Sequence, residues 1–125
     1  MKKVLLICAV MFGVCFSVFA DAAGDAQFRQ YVEVTKASPT NPDGMTVAAD
    51  YKYRIIYCAM PLPVSSSDIT DDVLEAMKNE MMKAMRASDF REDRRVIREL
   101  GINFVYTFIT TDKRIITIGI SYKDI

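Results

Sequence analysis

Residues 102–122 read Ile102-Asn103-Phe104-Val105-Tyr106-Thr107-Phe108-Ile109-Thr110-Thr111-Asp112-Lys113-Arg114-Ile115-Ile116-Thr117-Ile118-Gly119-Ile120-Ser121-Tyr122. Ile102, Phe104, Tyr106 and Phe108 alternate with smaller or more polar neighbours, and so do Ile116, Ile118, Ile120 and Tyr122. Period-two alternation puts each set on one face of a strand. The polar Thr110-Thr111-Asp112-Lys113 between the two runs predicts a hairpin, with one apolar face that must be covered. The cover has to come from upstream.

Two helical patterns stand there. Thr70 precedes Asp71 and Asp72, an N-cap with acids in the first turn, and Val73, Met77, Met81 and Met85 then recur every four residues. A second start, Asp89-Phe90-Arg91-Glu92, has capping-box spacing, and Gly101 after Leu100 suits a left-handed helix end. Two helices with a break near Ala87-Ser88, or one long bent helix, are expected. Further upstream, Tyr51, Tyr53, Ile55 and Tyr57 alternate with Lys52, Arg54, Ile56 and Cys58, which predicts a strand from Asp50 that stops at Pro61-Leu62-Pro63. Residues 37–44 carry two prolines and Asp43-Gly44 and read as a loop, and Phe28, Tyr31, Val32 and Thr35 favour a short helix before it. The economical architecture is α+β: a small antiparallel sheet of about three to four strands, ending in the C-terminal hairpin, with helices packed on one face.

The chain has 125 residues, with 16 basic and 16 acidic side chains. Met1-Lys2-Lys3 followed by an uncharged apolar run to Val18-Phe19-Ala20 has the three parts of a secretion signal, with cleavage expected after Ala20. Residues 1–20 are thus read as a signal peptide and 21–125 as a single domain, delivered to the periplasm or outside the cell. Cleavage removes Lys2 and Lys3, leaving two more acids than bases, so no basic face is implied and nucleic acid is not an expected partner. Nor is a membrane, once the signal is gone.

Of three cysteines only Cys58 survives cleavage, and its apolar setting, Ile55-Ile56-Tyr57-Cys58-Ala59, reads as a buried thiol. Histidine is absent from the sequence, which removes the usual base for a serine or cysteine nucleophile. No catalytic residues, cofactor or glycine-rich phosphate loop are expected. The leading reading is a non-enzymatic binding or accessory protein that contacts a protein partner through a sheet edge or a helix face. Its candidate interaction surface is Tyr51 and Tyr53 on the strand with Arg94 and Arg98 on the second helix. The alternative is Cu(I) binding by Met81, Met82 and Met85, because thioethers are soft donors, although packing explains the same stripe. A small hydrolase is the third reading, and it requires converging ionisable groups in one cleft.

Overall fold

The computed structural model describes residues 24–125; the expected signal, residues 1–20, lies outside them. The chain order is α1 (Gly24–Ala37), β1 (Thr46–Asp50), β2 (Ile55–Pro61), α2 (Asp71–Arg86), α3 (Arg91–Leu100), β3 (Asn103–Ile109) and β4 (Ile115–Ile120). The strands form one sheet in the order β1-β2-β3-β4. The protein is α+β, as expected, and the terminal hairpin β3–β4 is in place.

The local signals at Thr70, in the methionine stripe and at Gly101 act where they were read, whereas the capping box expected at Asp89 does not form: the N-cap of α3 is Phe90, with no side-chain cap bond. Thr70 caps α2, its hydroxyl accepting the Val73 N–H, and Asp71 and Asp72 occupy the first turn. A 3-10 turn, Ser88–Phe90, separates α2 from α3, and Gly101 ends α3 in the left-handed region at φ 68°. Met77, Met81 and Met85 are the buried stripe of α2. They meet Ile56, Cys58 and Met60 from β2, Phe104, Tyr106 and Phe108 from β3, and Ile118 and Ile120 from β4 in one apolar cluster. Phe28, Tyr31 and Val32 of α1, Val96, Ile97 and Leu100 of α3, and Leu62, Phe90, Ile102 and Ile125 from the segments between and after the elements complete it.

Two features of the strands also depart from the expectation. The strand predicted from Asp50 is two: β1 ends at Asp50, residues 51–54 turn, and β2 begins at Ile55. Asp50 Oδ1 accepts the backbone N–H of Lys52 and of Tyr53, each at 3.0 Å, and Arg54 sits at φ 54°. An Asx turn of this kind replaces ladder bonds with side-chain bonds and reverses the chain. The tyrosine alternation through 51–57 disguises it. The sheet is also mixed instead of wholly antiparallel, because β2 and β3 pair in parallel. Parallel neighbours need a long crossover, and α2 with α3 supplies it.

Candidate interaction surface

Among the described residues, the helices cover one face of the sheet and leave the other open. In-register partners form rows across that open face: Ala48, Tyr57, Val105 and Gly119 in one, and Thr46, Ala59, Thr107 and Thr117 in the next. Asp50, Ile55 and Asn103 flank them at one end, and Pro61, Ile109 and Ile115 at the other. Asp50 is the one charged residue among these strand positions. Tyr57 stands in the middle at 40 % exposure, and Ile109 and Ile115 are exposed at 38 % and 69 %. Beyond Ile109 the face runs into a shallow depression walled by Pro42, Pro61, Pro63 and Lys113. A face of small, threonine and apolar side chains is shaped to be covered, since a solvated sheet face normally alternates outward to polar and charged residues.

The residues singled out in the sequence divide between surface and scaffold. Tyr51 lies in the β1–β2 turn, its ring edge-on to Phe28 at 5.7 Å and beneath the Arg29 guanidinium at 4.2 Å. Tyr53, in the same turn, is 63 % exposed beside Lys52. Arg94 is half-buried and donates to the carbonyls of Met85 at 2.8 Å and Ala87 at 3.2 Å, so it satisfies the C-terminal end of α2. Arg98 is exposed on α3. Tyr51 and Tyr53 sit at one tip of the sheet, and neither belongs to the open-face rows. Sequence reasoning did not pick out those rows, because Tyr57, Val105 and Gly119 come together only through the strand order.

Met81 and Met85 are fully buried and Met82 is partly buried. Successive residues on a helix diverge by about 100°, so Met82 lies beside the Met81–Met85 stripe, partly buried against the same cluster. The thioethers of Met81 and Met85 are taken up by contacts in the apolar cluster.

Three titratable groups show how the interior and the hairpin are built. Burial pushes the Cys58 thiol up to about 12, so it stays a protonated apolar filler. Asp93, in the first turn of α3, is 2 % exposed, and neither carboxylate oxygen has a hydrogen-bond partner among the described residues. Desolvation, with the Glu92 charge beside it, raises its pKa to about 7. Asp112 is the opposite case. Its carboxylate accepts from the Ser66 hydroxyl, the Thr110 hydroxyl at 2.6 Å and the Ser66 N–H at 2.9 Å, and these bonds hold it well below the usual range. Ser66 is thereby committed to pinning the loop before α2 onto the β3–β4 turn.

Compared with known proteins, the chain matches no family model, no curated protein sequence and no solved structure.

Proposed function

We propose that this is a small exported accessory protein that performs no chemistry and works by seating another protein on the open face of its sheet. The observation that carries the reading is the contrast between the two faces. Among the described residues, one is sealed by three helices and the other faces solvent, with Asp50 as its one charged strand residue. Keeping charge off a solvated face gives up the usual protection against association, which is useful where association is the task. Tyr57 suits the role of anchor, since tyrosine buries a large rigid ring and keeps a hydroxyl for a polar bond. Export rests on the tripartite pattern of residues 1–20.

The test is a photo-reactive amino acid placed at Tyr57 and, for comparison, at exposed Glu33 on α1, with crosslinking in intact cells. A discrete adduct from position 57, missing from position 33 and lost when Val105→Glu puts a charge on the same row, is the expected result. Equal labelling at both positions, or none at 57, overturns the reading. Mass spectrometry of the same exported fraction is expected to give a chain beginning at Asp21; a chain that retains Met1 through Ala20 overturns cleavage after Ala20, and absence of the protein from that fraction overturns the export step.

A further inference from the structure

Among the described residues the sheet ends at β4, and the β3–β4 ladder runs in unbroken register from Phe104 opposite Ile120 to Ile109 opposite Ile115. Antiparallel partners alternate between pairs that exchange both backbone hydrogen bonds and pairs that exchange none. The Thr110 N–H donates to the Arg114 carbonyl at 2.9 Å. Counting on from that pair, Ile116, Ile118 and Ile120 bond to β3, while the N–H and C=O groups of Ile115, Thr117 and Gly119 turn outward. Edges are ordinarily protected by a charge, a proline or a bulge, and Ile115–Ile120 contains none of these.

Gly119 is the second, independent observation. Its φ is not in the left-handed region, where Gly44 and Gly101 lie, and a Cβ built on it would meet nothing within 4 Å. Neither backbone conformation nor packing among the described residues calls for glycine there, although glycine inside a strand costs roughly 0.5–1 kcal/mol relative to alanine. A glycine in mid-strand often marks a bulge, a bend or a place where a ligand or another backbone approaches closely, and the unbroken β3–β4 register rules out a bulge here.

We infer that β4 pairs antiparallel with β4 of a second copy about a two-fold axis at Thr117. That register sets Thr117 against its own mate and Ile115 of each copy against Gly119 of the other, so the most exposed isoleucine fills the space the glycine leaves. The outward backbone groups then close about six hydrogen bonds. Beside the edge lies a groove of about 330 Å³, walled by Asp71, Leu74, Glu75 and Lys78 from the first half of α2. The axis brings the two α2 helices side by side and antiparallel, so the carboxylates of Asp71 and Glu75 approach Lys78 of the other copy. This self-complementarity in size and in charge selects a second copy over a foreign strand. The contact is isologous and closes at two chains, giving one eight-stranded sheet with a doubled open face. It stands apart from the partner-seating role, since the edge and the face are different surfaces and the Tyr57 crosslink does not depend on it.

Sedimentation velocity of the exported protein measures it. Twice the chain mass is expected at micromolar concentration. Thr117→Pro removes an outward N–H without touching the β3 ladder and should return a monomer with unchanged circular dichroism, while Thr117→Ala, which keeps that N–H, stays dimeric. Ile115→Asp, at an exposed position, should weaken dimerisation at least tenfold and carries the test if the proline variant does not fold. The inference is overturned by a wild-type monomer at about 100 µM, where any micromolar interface would be filled. It is equally overturned by a dimer that survives both Thr117→Pro and Ile115→Asp, by open polymers whose mass climbs with concentration, or by a monomer that takes up a foreign strand.

Discussion

Asp93 is the residue whose chemistry is most at odds with its surroundings. It is buried with both oxygens unpartnered among the described residues, and its charge acts on Tyr31, whose own burial keeps the phenol protonated. The folded carboxyl titrates near 7 against an ordinary 3.8, so the native state holds a proton that the unfolded chain has released anywhere between those values. Stability therefore falls as pH rises through that window and levels off above about 7. Asp93→Asn, neutral and of the same shape, should remove this slope and raise stability at pH 8 by on the order of 2 kcal/mol. Thermal melts at pH 5 and pH 8 check it, and a wild-type curve flat across that range would contradict it. The arginines separate in the same assay. Arg94→Ala frees the Met85 and Ala87 carbonyls and should cost about 1–3 kcal/mol, whereas exposed Arg98→Ala should stay within about 0.5 kcal/mol. Sequence alone rated the two alike, because both fall among the charged residues of α3 and only tertiary contact shows which one reaches the end of α2.

Among the elements, helices were the most legible. A helix announces itself through neighbours three and four apart, so Thr70, the Met77-Met81-Met85 stripe and Gly101 could be placed without knowing the rest of the chain. Gly101→Ala is the direct check on the last of these. Its left-handed φ of 68° penalises a Cβ, while the space beside it is ordinary, with the nearest Tyr122 atom at 3.6 Å. The substitution should cost about 1 kcal/mol through backbone strain alone, read as a lower denaturation midpoint with unchanged slope. The strands were harder. Tyr51 and Tyr53 continue the alternation of Ile55 and Tyr57, so a hairpin read as one strand and β1 was missed. The signal that could have found the turn was Asp50, whose short carboxylate reaches the N–H groups two and three residues on.

In the whole molecule, the sequence by itself determined what local chemistry determines. It specified the helices, the caps at Thr70 and Gly101, the C-terminal hairpin, the apolar stripes that must meet, the buried thiol of Cys58 and the α+β class. These follow from periods and from capping contacts that span a few residues, and each is written within its own segment. Tertiary structure alone decided the strand order, the parallel β2–β3 pair, and the assembly of Ala48, Tyr57, Val105 and Gly119 into one row. It also decided which arginine is a clamp and which edge stays open. Pairing between distant strands leaves no local trace, because any strand with one apolar face satisfies that face equally well beside several partners. The choice is made by the length of the α2–α3 crossover and by how all the helices fit on one side at once.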